Sequence, residues 1–193
     1  DLRTSRGLGD VYKRQHLVYG NSMFQYGYIS EQYTKRVDWD IDDILIVTID
    51  IEVACENGFP NPEQAIEPLL SITVKNHQSK KFIVWGVGKF NNNRDDVTYI
   101  ECESELHLIK EFLIFWEKHQ PDIITGLNTE FFDIPYLCNR IKNIRGEEEI
   151  RRLSPWKNIS ARSVFKMGRS HQLYDIQGIA HLDYFDLYRK FTY

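Results

Sequence analysis

The run Ile44-Leu45-Ile46-Val47-Thr48-Ile49-Asp50-Ile51-Glu52-Val53 decides how the rest of the chain is read. It is an apolar, β-branched strand that carries two carboxylates, Asp50 and Glu52, two positions apart. Side chains at i and i+2 of a strand share a face. Two carboxylates side by side in an apolar setting repel each other and resist desolvation unless a cation lies between them. The spacing therefore points to a divalent-metal site. A competing reading ends the strand at Asp50 and leaves both acids in water, because apolar runs often close on acidic residues.

Outward from this strand the order of elements reads as α/β. A loop of turn formers follows, Glu56-Asn57-Gly58-Phe59-Pro60-Asn61-Pro62. Strands are expected at residues 69–75 and 81–87, joined as a hairpin through the polar segment 76–80. The loop Asn91-Asn92-Asn93-Arg94-Asp95-Asp96 leads through a short extended stretch to a helix over 104–119. Leu106, Ile109, Leu113 and Trp116 give that helix one apolar stripe, and Pro121 ends it. Residues 122–126 read as a short buried strand, and 135–144 as a second helix with Leu137, Ile141 and Ile144 inward. Residues 162–176 read as a hairpin turning near Gly168-Arg169-Ser170. A strand over 179–184 and the start of a helix over 186–191 close the chain.

A second constellation is Gly126-Leu127-Asn128-Thr129-Glu130-Phe131-Phe132-Asp133-Ile134-Pro135-Tyr136. It joins a buried strand to a helix, where open α/β sheets place ligands. Asp133 stands at the helix start with Pro135 in the first turn, so it reads equally as an N-cap. Asn128 reads equally as a turn residue.

A chain of 193 residues makes one domain, with room for a small appendage. No apolar run approaches a membrane span and no secretory signal opens the sequence. Three cysteines, Cys55, Cys102 and Cys138, are widely spaced and odd in number. This argues against a disulfide framework or a Cys-based zinc site, and for a reducing, intracellular compartment. Residues 1–15 have no periodicity and resemble translated sequencing-adapter read-through, so they are set aside as non-native. They hold four basic and two acidic residues, and without them the formal net charge moves from -4 to -6. An acidic chain does not bind duplex DNA through a general basic surface. A local basic run does exist: Arg140, Lys142, Arg145, Arg151, Arg152, Lys157, Arg162, Lys166 and Arg169 stand against Glu147, Glu148 and Glu149. It reads either as a nucleic-acid patch or as a solvated surface.

Taken together, the motifs resemble the proofreading exonuclease domain of family B DNA polymerases, with the likeness strongest to the replicative polymerases of large tailed bacteriophages. The residues that carry it are Val47-Thr48-Ile49-Asp50-Ile51-Glu52-Val53, Asn57-Gly58-Phe59-Pro60, Thr125-Gly126-Leu127-Asn128, Phe132-Asp133-Ile134-Pro135-Tyr136, Asn139-Arg140-Ile141-Lys142 and the stretch Leu182 through Phe191. The resemblance implies a ribonuclease-H-like fold, a five-stranded mixed sheet with one antiparallel strand and flanking helices. It implies that residues 16–43 are the tail of the polymerase's N-terminal domain and 44–193 a truncated exonuclease. The family's third motif, a Tyr with an Asp four positions later on a further helix, is absent because the chain stops at Tyr193. Asp183 and Asp186 fall instead at the last strand and the following helix, in a structural role. The core is expected to fold, with exposed apolar surface concentrated where that further helix would pack.

By the same resemblance Asp50, Glu52 and Asp133 hold two Mg²⁺ (or Mn²⁺) ions and carry catalysis. Asn128, Phe132 and Phe59 contact single-stranded DNA, although lone aromatics such as Phe59 and Phe132 also fit a core. The implied partners are the 3′ end of a primer-template, the remaining polymerase domains and a sliding clamp. The implied location is the cytoplasm of a bacterial host. Two other readings stay open: a catalytically inactive single-strand-binding or structural fragment, and a stand-alone exonuclease of the same fold.

Overall fold

The computed structural model describes residues 24–56, 58–166 and 168–191. The segment 1–15 read as non-native lies outside the described residues. The chain divides into two units, the first ending at Asp40 and the second running from Ile41. In the first, helix α1 (Phe24–Gln32) is exposed from Tyr26 onward and has no apolar stripe.

The second unit is built on β1 (Ile46–Val53), β2 (Leu69–Asn76), β3 (Phe82–Val87), β4 (Val97–Cys102), β5 (Ile123–Gly126) and β8 (Ala180–Asp183). These form one sheet in the order β4-β3-β2-β1-β5-β8. Strand β2 runs antiparallel to both neighbours, and the other pairings are parallel. The antiparallel strand expected from the resemblance is therefore present. The sheet has six strands, one more than expected, because the extended stretch after the Asn-rich loop is a full strand, β4. A parallel neighbour ordinarily follows a crossover of a dozen or more residues, and only 88–96 separate β3 from β4. The turn is held by Arg94 paired with Asp96 at 2.6 Å and by Asn92 Nδ2 donating to the Val97 carbonyl.

Helix α2 (Glu105–Lys118) starts where expected, its N–H of His107 donating to the Ser104 Oγ cap. Leu108, Ile109, Phe112, Leu113 and Trp116 are buried against β2, β3 and β4, with Trp85 and Phe112 meeting edge to face at 5.5 Å. Leu106, expected on this stripe, is half-exposed. The buried arc centres on Phe112 and Trp116, which leaves Leu106 at its rim in the first turn. Helix α3 (Asp133–Arg145) buries Leu137 and Ile141 as expected, with Ile144 partly covered. A single turn α4 (Glu147–Ile150) and a 3₁₀ turn (Arg151–Leu153) lead to the hairpin β6 (Ile159–Lys166) and β7 (Arg169–Ile176), a separate two-stranded sheet. It turns between Lys166 and Arg169, slightly earlier than expected, with Gly168 at φ +79°. Helix α5 (Tyr184–Phe191) buries none of its residues. Leu182, Tyr184, Phe185, Tyr188 and Phe191 are exposed there, and so are Ile66, Phe90, Leu127 and Phe165 elsewhere in the second unit. Among the described residues no helix is long and apolar enough to cross a membrane.

Candidate active site

Strand β1 does not end at Asp50. It continues to Val53, so both acids lie within the strand. Val47, Ile49 and Ile51 are buried on one face, which turns Asp50 and Glu52 together to the open face. The register against β2 shifts between Glu52 and Val53. Such an irregularity raises local twist and re-aims the adjacent side chain.

The third acid reaches the same strand from the other constellation. β5 pairs with β1 only as far as Thr48 opposite Thr125. Beyond that point the Ile51 N–H donates to Asp133 Oδ1 at 3.1 Å. Asp133 is 5% exposed and is the first residue of α3, while the cap position belongs to Phe132, which makes no side-chain cap bond. The carboxylate is thus committed to the backbone between Asp50 and Glu52, and the capping reading does not describe its hydrogen bond. The Asp133 carboxyl is pushed up to about 7, chiefly by burial; the charges of Asp50 and Asp183 contribute to the rise, and the Ile51 N–H opposes it. Asp50 is accessible to solvent, yet partial loss of hydration also raises its carboxyl above the usual range.

Asp183, 6% exposed, shows the opposite arrangement. Its oxygens accept from the backbone N–H groups of Asn128, Glu130 and Phe185 at 3.0, 2.9 and 2.8 Å. It therefore ties the loop after β5 to the end of β8, the structural role expected of it. Asp186 pairs with Lys166 at 3.3 Å. Asn128 takes the left-handed conformation (φ +61°), which Asn tolerates better than most residues, and its carbonyl accepts from the N–H groups of Phe131 and Phe132. It is a turn residue and a cleft residue at once. Gly126 makes this turn possible: a Cβ there would fall 2.3 Å from Thr129 Cγ2 and 2.8 Å from the Ile49 carbonyl oxygen.

Phe59, Asn128 and Phe132 meet at a cleft of about 560 Å³, which Phe131, Lys166 and His171 also line. Phe59 is 84% exposed and its ring centroid lies 5.3 Å from that of Phe132. The core reading does not hold for Phe59, while Phe132 is half-buried. Lys166 sits over the Phe131 ring at 4.1 Å.

The basic run is largely neutralised. Arg140 pairs with Glu105, Lys142 with Glu147, Arg145 with Glu149, Arg151 with Glu148, Arg152 with Glu117 and Glu149, Lys157 with Glu117, and Arg162 with Glu130 and Asp175. Most of those acids are remote in sequence, so a count over 140–169 alone missed them. Sequence reasoning also missed the polar stripe of α3. Tyr136, Asn139, Arg140 and Asn143 donate to the carbonyls of Glu67, Pro62, Ala65 with Ile66, and Gln64, holding the loop between β1 and β2. Their i, i+3, i+4, i+7 spacing was the available signal.

Among the described residues no three His, Cys, Asp or Glu side chains stand close enough to hold a metal ion by themselves. The donor set nevertheless suits Mg²⁺, which keeps several waters and takes one or two carboxylates together with substrate phosphate oxygens. A buried acid beside a second carboxylate, both raised by loss of hydration, is what such a cation would relieve.

The sequence model for the exonuclease domain of family B DNA polymerases matches residues 19–193. The DNA-directed DNA polymerase of Escherichia phage RB69 is 34% identical across 90% of this chain and 22% of its own length. That of Enterobacteria phage T4 is 30% identical over the same shares. The DNA polymerase catalytic subunit of human herpesvirus 7 (strain JI) is 31% identical across 61% of this chain and 12% of its own length. The chain spans about a fifth of the length of its phage relatives. With the matched residues covering both acid-bearing motifs and the whole six-stranded sheet, the chain belongs to the exonuclease domain family of the family B DNA polymerases.

Proposed function

We propose that this chain is the 3′–5′ proofreading exonuclease portion of a DNA-directed DNA polymerase, which removes mispaired 3′ nucleotides during DNA replication by hydrolysing phosphodiester bonds. The observation that carries the reading is Asp133: a buried carboxylate docked on the Ile51 N–H, between two further acids on the open face of β1. In this reading Asp50, Glu52 and Asp133 hold two divalent ions, Mg²⁺ or Mn²⁺. Bound there, such a pair would supply charge neutralisation for the scissile phosphodiester and lower the pKa of a bound water.

The chain's own residues do the rest. Asp50 and Glu52 present charge on one face, where a phosphate with its cations docks without displacing core side chains. Asp133 is held against β1 by a backbone hydrogen bond, so its orientation costs no reorganisation when substrate arrives. Phe59 and Phe132 offer ring faces to unpaired bases, and Asn128 lines the same cleft. The partners in this reading are the 3′ end of single-stranded DNA or primer-template, the remaining polymerase domains and a sliding clamp, in the cytoplasm of a bacterial host. Residues 16–43 belong to the polymerase's N-terminal domain, 44–193 to the exonuclease, and 1–15 are non-native.

The test uses this chain within the whole polymerase of which it is here read as a portion. Asp50→Ala combined with Glu52→Ala abolishes Mg²⁺-dependent 3′–5′ degradation of single-stranded DNA, while extension of a primed template persists. Digestion by the double variant at the unmodified rate removes the assignment.

A further inference from the structure

We propose that Asn139 is a positioning residue that sets the width of the aromatic cleft, acting as a brace between its two walls. The inference rests on the single-strand-binding reading for its consequence, though not for its geometry. One wall is the loop after β1, which carries Phe59 and Pro62; the other is β7, whose residues Ser170 and His171 line the cleft. Asn139 is 7% exposed and lies on α3 behind both. Its Nδ2 donates to the Pro62 carbonyl at 2.9 Å and to Gln172 Oε1 at 3.4 Å, and its Oδ1 accepts from the Tyr174 hydroxyl at 2.5 Å.

The amide has one orientation here. A proline carbonyl only accepts, so Nδ2 must face Pro62, which leaves Oδ1 for the phenolic O–H. Both ends are buried or part-buried, where a hydrogen bond left unmade is costly and the geometry is correspondingly stiff. Tyr174 is itself 5% exposed, so the β7 end cannot swing into water without opening the packing around it. The loop end needs such a tie, since Phe59 at its tip is exposed and touches the body of the domain through the Phe132 ring. Tyr136, Arg140 and Asn143 keep the 64–67 end of the loop in place, so loss of the amide releases the Pro62 carbonyl and lets the 59–62 end drift from β7. The residue touches no acid of the site, so it acts on the cleft through its walls and not on the chemistry.

The experiment uses the 193-residue chain with spin labels at Glu63→Cys and Ser170→Cys, one on each wall, and Cys55→Ser to remove the exposed native thiol. Electron–electron double resonance reads the distance distribution. With native Asn139 a single narrow distribution is expected; Asn139→Ala broadens it and shifts it to longer distance. Tyr174→Phe, which deletes one oxygen and keeps the ring, does the same to a smaller extent and carries the test if the alanine variant fails to melt cooperatively. Affinity for fluorescein-labelled oligo(dT) in EDTA falls about tenfold in Asn139→Ala, the order of one lost base stack. An unchanged distance distribution in a folded variant overturns the proposal, whatever the affinity does. If the unmodified chain binds no oligo(dT), the single-strand reading fails, while the distance measurement still decides the brace.

Discussion

Replacing Asp133 by Asn separates the charge of this residue from its hydrogen bond. Asn keeps an oxygen for the Ile51 N–H, so the docking of α3 on β1 is retained. What disappears is a carboxyl pushed from an ordinary 3.8 up to about 7 by burial and by the neighbouring acids. The sign follows from proton binding. The folded state holds the proton more tightly than the unfolded chain, so metal-free stability falls as pH rises from the unfolded value through about 7, and is constant above it. Each pKa unit corresponds to about 1.36 kcal/mol, so the native chain loses at most about 4 kcal/mol across that range relative to Asp133→Asn. A quarter of that, about 1 kcal/mol, already moves the melting temperature of a domain this size by about 2–4 °C. Thermal melts in EDTA at pH 5 and pH 8 provide the assay. Asp133→Asn should melt above the native chain at pH 8, and the gap should shrink at pH 5. Added Mg²⁺ should raise the native melting temperature at pH 8 more than that of the variant, since the cation neutralises what the substitution has removed. Equal melting temperatures at both pH values in EDTA would falsify the charge argument and leave Asp133 as a hydrogen-bonding residue only.

Three further outcomes follow from separate parts of the structure. Glu105→Gln breaks the part-buried pair with Arg140, whose side chains are 15% and 14% exposed, and weakens the bond to the Leu69 N–H; a loss of about 3 kcal/mol is expected in chemical denaturation, and a loss under 1 kcal/mol would show the pair to be dispensable. Gly126→Ala places a methyl against the Ile49 carbonyl, an atom that cannot move aside; a cost of about 1–3 kcal/mol from overpacking is expected in the same measurement. Phe59→Ala, at an exposed position, should leave the melting temperature within about 1 °C while weakening oligo(dT) binding by about 1–3 kcal/mol, and native-level affinity in fluorescence anisotropy would remove Phe59 from the DNA surface.

Local chemistry made much of this domain legible. The β1 pattern, the limits of α2 and the strand after Pro121 follow from periodicity, caps and breakers, which act within a few residues. The extra strand β4 was obscured because its pairing with β3 is parallel across a connection shorter than such pairings usually need. The basic run stayed ambiguous for a related reason: charge counted along the chain does not register Glu105, Glu117, Glu130 or Asp175, which arrive from other elements.

The sequence by itself determined which face of β1 bears Asp50 and Glu52, because a strand alternates with period two wherever it sits. It also contained the ordered motifs that define the family. Only the tertiary structure decided what Asp133 does. An Asp at a helix start has the same local appearance whether it caps that helix or leaves it, and the choice depends on whether a free N–H from elsewhere is within reach. Here β5 stops pairing with β1 at Thr48, and the Ile51 N–H, 82 positions away along the chain, takes the carboxylate. The same holds for Asn139, whose partners at Pro62 and Tyr174 lie 77 and 35 positions off on opposite sides. Hydrogen bonds that span such separations are set by the packing of elements, and no short-range pattern encodes them.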